Sequence, residues 1–197
     1  MRISFTGAQS TGKTTLLREC CNNTFFRKFH CVKEVTRKVA RERNVNINET
    51  GSDVTQLFIL NEHLHNHHVS GSALLDRCIV DGWVYTDYLE RYHKVSEWVR
   101  DYAYNMYQML LPKLDIIFYT SPVDVPIEDD GHRSVDIQFR NDIIDSFENE
   151  ITYLQSCHDN PSLPDHSDYP QIVRLTGDVV TRMDIIFKTI KQYDKTR

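Results

Sequence analysis

Short apolar runs rich in β-branched and aromatic residues alternate along the chain with longer stretches of helical periodicity. Ile3–Thr6, Phe29–Lys33, Ala73–Leu75, Leu114–Tyr119 and Gln171–Leu175 read as strands. Between them, apolar residues recur at three- and four-residue steps. The stripes are Val54, Leu57, Phe58, Leu60 and Leu64; then Val84, Tyr88 and Leu89; then Trp98, Val99, Tyr102, Met106, Met109 and Leu110. Ile143, Ile144, Phe147, Ile151 and Leu154 form the next, and Val180, Met183, Ile186, Phe187 and Ile190 the last. Strand–helix alternation predicts an α/β fold in three layers, with five parallel strands and helices on both faces. No internal repeat or interdomain linker interrupts it, so 1–197 reads as one domain. The proline-rich stretch from His158 to Pro170 reads as a surface loop.

Ligands of an open parallel sheet bind beyond the carboxyl ends of its strands. The first strand leads into Gly7-Ala8-Gln9-Ser10-Thr11-Gly12-Lys13-Thr14-Thr15, which matches the phosphate-binding pattern Gly-x4-Gly-Lys-Ser/Thr. Gly7 and Gly12 permit backbone angles that turn the loop's N–H groups inward as a nest for phosphate oxygens. The helix that starts near Lys13 points its positive end at the same place. Lys13 offers a mobile cation for the phosphates, and Thr14 offers a hydroxyl ligand for Mg²⁺. The loop thereby narrows the fold class to a P-loop NTPase fold with a nucleoside triphosphate site.

The other strand ends carry matching chemistry. Asp76, after the third strand, stands where a carboxylate would complete a Mg²⁺ site with Thr14. A hydroxyl acceptor needs a carboxylate to take its proton, and Glu34 or Asp76 could serve. Arg77 could hold the acceptor, and Gln56 could hydrogen-bond a base or amide. Arg133 and Arg140 belong to a segment at about 122–142 that reads as a lid, bringing positive charge to the transferring group. Thr176-Gly177-Asp178, with Gly177 at its centre, follows the fifth strand at the same edge. Each motif also has a plainer reading. Glu34 and Arg37 could be an i, i+3 surface pair, Asp76-Arg77 a solvated loop pair, and Gln56 an exposed amide. His63 and His67 share a helix face, but the run Glu62–His68 reads better as a polar helix end than as a Zn²⁺ site.

Composition narrows the class further. Of 197 residues, 40% are hydrophobic and 26% charged, which excludes a disordered or low-complexity chain. The net charge of −5 disfavours nucleic acid as a partner. No apolar run approaches the ~20 residues of a membrane helix, so no membrane partner is expected. Five cysteines without a Cys-x-x-Cys motif read as free thiols in a reducing compartment, the cytoplasm (a host's, if the source is viral). The sequence leaves room for a homodimer.

Together, the loop Gly7–Thr15, the run Glu34-Val35-Thr36-Arg37, and Asp129-Asp130-Gly131-His132-Arg133-Ser134 followed by Phe139-Arg140 resemble the NadR-type P-loop domain. That group includes a ribosylnicotinamide kinase domain and is similar to thymidylate and deoxynucleoside kinases, where an acid–Arg pair after the third strand resembles Asp76-Arg77. The resemblance implies a nucleoside- or nucleotide-kinase-like fold, with ATP on the loop and a small nucleoside-like acceptor between Glu34, Arg37, Gln56 and Asp76-Arg77. It also implies a lid carrying Arg133 and Arg140, and adenine against Thr176–Asp178. The expectation is ATP- and Mg²⁺-dependent phosphoryl transfer to a nucleoside, nucleotide or related small hydroxyl acceptor. Two alternatives stand beside it: a nucleotide-dependent switch or ATPase module that binds a protein or lipid partner, and a kinase acting on polynucleotides or on a modified base in DNA.

Overall fold

The computed structural model describes residues 1–122, 137–163 and 168–196. Its strands are β1 (Arg2–Thr6), β2 (His30–Val32), β3 (Ala73–Asp76), β4 (Ile116–Thr120) and β5 (Gln171–Leu175). The helices are α1 (Lys13–Asn22), α2 (Val35–Arg43), α3 (Asp53–His67), α4 (Ile79–Arg91), α5 (Glu97–Leu110), α6 (Ile137–His158) and α7 (Val179–Thr196). The strands form one sheet in the order β2-β3-β1-β4-β5, and every pairing is parallel.

The alternation of side chains along each strand sorts the helices into two layers. Ile3, Phe5, Leu74, Ile116 and Phe118 pack under α1 and α7, against Leu16, Leu17, Ile186 and Ile190. Ala73, Leu75, Ile117 and Tyr119 point the other way and pack with Leu60, Val84, Val99 and Phe147 from α3 to α6. The α/β expectation therefore holds, with all five strands present. The edges differ. β2 is three residues long, and β4 begins at Ile116, just after Asp115, whose carboxylate accepts the backbone N–H of Arg2 (2.6 Å). Helix α2, too short and too charged to show a stripe in the sequence, follows β2 directly.

Two expectations are corrected. His63 and His67 are not a polar helix end; each is only 1% exposed. They lie on the face of α3 that meets the core, while His65 and His68 face outward. Nε2 of His67 accepts a hydrogen bond from the Ile79 N–H (3.2 Å), satisfying a donor that α4 leaves open at its first turn. Among the described residues no group of three or more His, Cys, Asp or Glu could hold a metal ion.

The cysteines are not all free thiols. Cys21, in the last turn of α1, and Cys31, on β2, form a disulfide with Cα atoms 6.3 Å apart. Packing α1 beside the β2 edge brings them together across ten residues of chain, without any local motif. Cys20, Cys78 and Cys157 are free and buried. The disulfide removes the cysteine-based argument for a reducing compartment. Among the described residues no helix is long and apolar enough to cross a membrane.

Alkylation of the unfolded, non-reduced protein is expected to label Cys20, Cys78 and Cys157 and to spare Cys21 and Cys31. Labelling of all five by mass spectrometry would contradict the link. Reduction is expected to cost about 2–3 kcal/mol of stability for so short a loop.

Candidate active site

The loop between β1 and α1 is built on backbone constraints. Gly7 has φ +135°, and a Cβ there would lie 2.9 Å from both the carbonyl and the hydroxyl oxygen of Thr120. Only glycine lets the loop pass the end of β4 so closely. Gly12 (φ +88°) and Ser10 (φ +58°) are also left-handed, which curls the chain around its own N–H groups. The Thr11 and Thr120 hydroxyls lie 2.6 Å apart and tie the loop's crest to β4.

Lys13 is buried and folded back on this loop. Its Nζ donates to the carbonyls of Gly7 (2.8 Å) and Ala8 (2.5 Å) and to the Thr11 hydroxyl (3.3 Å). Burial, helped by the nearby Arg77 cation, lowers its pKa to about 7 despite the carboxylates of Asp81, Asp76 and Glu34.

Next to it, the Thr14 hydroxyl donates to Asp76 Oδ2 (2.7 Å). Asp76 Oδ1 is buried without a partner among the described residues. Burial and the charge of Glu34 raise the Asp76 pKa.

Arg77 follows in a left-handed conformation (φ +77°) and reaches three ways. Its Nε donates to Glu34 Oε1 (3.1 Å), and its Nη1 donates to Asp81 Oδ1 (2.8 Å) and more weakly to the Gly7 carbonyl (3.4 Å). Its guanidinium also lies over the Tyr85 ring. Asp81 is anchored in turn by the Thr6 hydroxyl (2.6 Å) and the Cys78 N–H (3.1 Å). The other oxygen of Glu34 meets Arg37 Nε at 3.1 Å. Burial acts to raise the Glu34 pKa, but Arg77, Arg37 and Lys13 outweigh it and hold the carboxyl below its ordinary value.

These groups surround one cavity of about 220 Å³. Gln9, Ser10, Thr11, Gly12, Lys13, Thr14 and Thr15 line one side, and Glu34, Arg37, Gln56 and Arg77 line the other. Gly7 and Ala8 sit behind the wall and contribute the carbonyls that hold Lys13. Asp76 is reached through Thr14. Gln56 is buried, and its Oε1 lies 3.0 Å from the Thr86 hydroxyl, so the exposed-amide reading fails. Arg140 is half-buried in the first turn of α6 and does not line the cavity. Arg133, with most of the segment expected to form a lid, lies outside the described residues. Gly177 is left-handed (φ +85°) in the turn from β5 to α7, also away from the cavity wall.

Sequence reasoning did not assign Asp81, His63, Tyr85 or Arg182 to the site. Asp81 looks like a helix-start acid, and does cap α4. His63 lines the cavity with both ring nitrogens buried and without a partner among the described residues. Burial, with the charge of Arg77, lowers its pKa to about 3, so the ring is neutral.

A protein-family model described as an AAA domain matches residues 2–157. The chain belongs to this AAA-domain family. Solved structures with the same fold include a deoxyadenosine kinase from M. mycoides with dCMP and dCDP bound. That likeness has TM-score 0.68 at 13% identity, over 98% of this chain and 100% of that one. NadR in complex with NR gives TM-score 0.62 at 16% identity, over 90% of this chain and 46% of NadR. NadR with NAD and AMP-PNP gives 0.68 at 13%, over 98% and 49%. The AAA-domain chain thus spans about half of NadR and all of the deoxyadenosine kinase, in agreement with the NadR-like and deoxynucleoside-kinase resemblance of its motifs. At these identities the likeness establishes the fold. Among curated proteins no sequence relative is found.

Gly7→Ala is expected to destabilise this AAA-domain protein by about 2–3 kcal/mol, because the new Cβ meets backbone oxygen in a strained conformation. That corresponds to a Tm lower by roughly 5–10 °C in thermal unfolding. An unchanged Tm would show that the loop does not pass β4 so closely.

Proposed function

We propose that the protein is an ATP- and Mg²⁺-dependent kinase that phosphorylates a hydroxyl of a nucleoside, a nucleotide or a related small acceptor. One observation carries this reading: an ionised Glu34, held at both oxygens by arginines, faces the same cavity as the phosphate-type loop. A module that only hydrolyses or senses nucleotide has no need of that second wall. The solved relatives in fold support the class, since one is a deoxyadenosine kinase with dCMP and dCDP and another is NadR with NR.

The loop would take the polyphosphate of ATP on its inward N–H groups. Lys13 would exchange its own loop's carbonyls for phosphate oxygens, where contact with anions restores its full charge. Thr14 and Asp76 suit Mg²⁺: a hydroxyl and a carboxylate lie side by side, and Asp76 Oδ1 is buried without a partner among the described residues. The ion, when bound, neutralises charge on the phosphates. Glu34 is the better placed of the two candidate bases, because it lines the cavity and is ionised, whereas the raised pKa and the Thr14 contact commit Asp76 to the nucleotide side. Glu34 would orient the acceptor hydroxyl and take its proton, while Arg77 and Arg37 keep the carboxylate aimed.

The rest of the cavity suits a planar heterocycle. Ile47, Ile59 and Tyr85 give apolar walls, and Gln56 and neutral His63, two turns apart on α3, offer polar atoms to its edges. The lid role of the segment at 122–142, with Arg133 and Arg140, the adenine contact at Gly177, the single domain 1–197 and action in the cytoplasm belong to the same proposal.

The test is incubation with Mg-ATP and a panel of nucleosides, nucleoside monophosphates, ribosylnicotinamide and oligonucleotides, following transferred phosphate. Transfer to one small acceptor, abolished by Lys13→Ala, is expected. ADP release that no acceptor stimulates would replace the kinase reading with the ATPase module, and transfer to oligonucleotides alone would move it to nucleic acid.

With the acceptor in hand, Glu34→Gln is expected to lower kcat by about 10²–10⁴-fold while ATP binding changes little. Asp76→Asn is expected instead to raise the Mg²⁺ concentration required. Equal effects of the two variants on kcat and on Mg²⁺ dependence would refute the division of roles.

A further inference from the structure

Arg182, on the first turns of α7, is 5% exposed and reaches away from its own helix. Its Nε donates to the Gly177 carbonyl (2.8 Å), its Nη1 to the Thr11 carbonyl (2.8 Å) and its Nη2 to the Ser121 carbonyl (3.3 Å). A guanidinium carries five N–H donors, so one on Nη1 and one on Nη2 remain without a protein partner among the described residues. No carboxylate pairs with it among the described residues. This is unlike Arg77, which binds Glu34 and Asp81. A buried cation compensated only by carbonyl dipoles is costly to keep and calls for a reason.

The Thr11 contact supplies one. In a planar trans peptide the C=O and the following N–H point in opposite directions. Arg182 holds the Thr11 carbonyl on the α7 side of the loop, so the Gly12 N–H of the same peptide is turned to the inner side. The guanidinium lies so close that a Cβ on Gly12 would be 3.7 Å from Nη1. Drawing on that carbonyl also polarises the peptide and makes its N–H a stronger donor. The same fork grips the turn after β5 through Gly177 and the exit of β4 through Ser121, so three separate segments are held by one group.

We propose that Arg182 is the positioning residue of the polyphosphate site: its fork fixes the Thr11–Gly12 peptide with its N–H toward the anion and adds positive charge behind the loop. The proposal rests on the loop's being a nucleotide cradle and goes beyond it, since no phosphate-loop pattern includes α7.

The test compares wild type, Arg182→Lys and Arg182→Gln by isothermal titration with ATP, ADP and adenosine, with Tm measured for each protein. Arg182→Gln is expected to weaken ATP and ADP binding at least tenfold and adenosine less than threefold. Arg182→Lys keeps the charge but loses the fork, and is expected to fall between, with Tm near that of wild type. Should Arg182→Gln fail to fold, the lysine variant decides by the same comparison. A folded variant that binds ATP within twofold of wild type overturns the proposal. So does one that loses ATP and adenosine equally, because that marks a general scaffold role. Absence of ATP binding by the wild-type protein would instead sink the underlying reading of the loop.

Discussion

The geometry of the site hangs on one guanidinium. Arg77 stands at the end of β3, and its N–H donates to the Phe5 carbonyl (2.9 Å), extending the β1–β3 ladder by one bond. Its left-handed backbone then turns the side chain back over the carboxyl ends of the strands. From there it binds Glu34 from the edge of the sheet, Asp81 from α4 and the Gly7 carbonyl from the loop. Removing it would leave buried Asp81 without its ion-pair partner and Glu34 with Arg37 alone; breaking a buried pair in this way typically costs about 3–5 kcal/mol. The phosphate-type loop and the opposite wall are therefore not independent. Their separation is set by the reach of one side chain from one strand end.

The strand order explains why these parts meet. With β1 in the middle, its carboxyl end looks to β3 on one side and β4 on the other. The chain leaving β1 must pass both neighbours' ends, so Gly7 meets Thr120 of β4 and Arg77 after β3. The order also reverses direction at β1, where parallel sheets open a crevice for ligands.

What could be read beforehand follows from the range of each interaction. The loop Gly7–Thr15 was legible because its demands are local: glycine where the backbone turns left-handed, Lys and Thr at fixed offsets. The strand ends were legible because apolar runs mark them, which placed Glu34, Asp76 and Arg77 correctly. The i, i+3 pair of Glu34 and Arg37 is present at 3.1 Å, and both residues line the cavity rather than an open surface. His63 and His67 misled because a run with four histidines looks polar, while the helix period turns two of them inward. The Cys21–Cys31 link and the reach of Arg182 to Thr11, 171 residues away, depend on packing that no local pattern encodes.

The electrostatics set two neighbouring acids apart. Both Glu34 and Asp76 are largely buried, and burial alone would push both carboxyls up. Two arginines on Glu34 reverse that push, whereas Asp76 has only the Thr14 hydroxyl, a more distant Lys13 and Arg77, and the repulsion of Glu34 itself. One acid is thus fixed as a charged acceptor of hydrogen bonds, and the other is left short of positive charge. An added cation at Asp76 and Thr14 would relieve that shortage, and an added polyanion on the loop would relieve the crowding of Lys13 by Arg77. Each strained charge in the site is one that a metal-bound nucleotide would settle, so the pattern of perturbation and the proposed ligand account for each other.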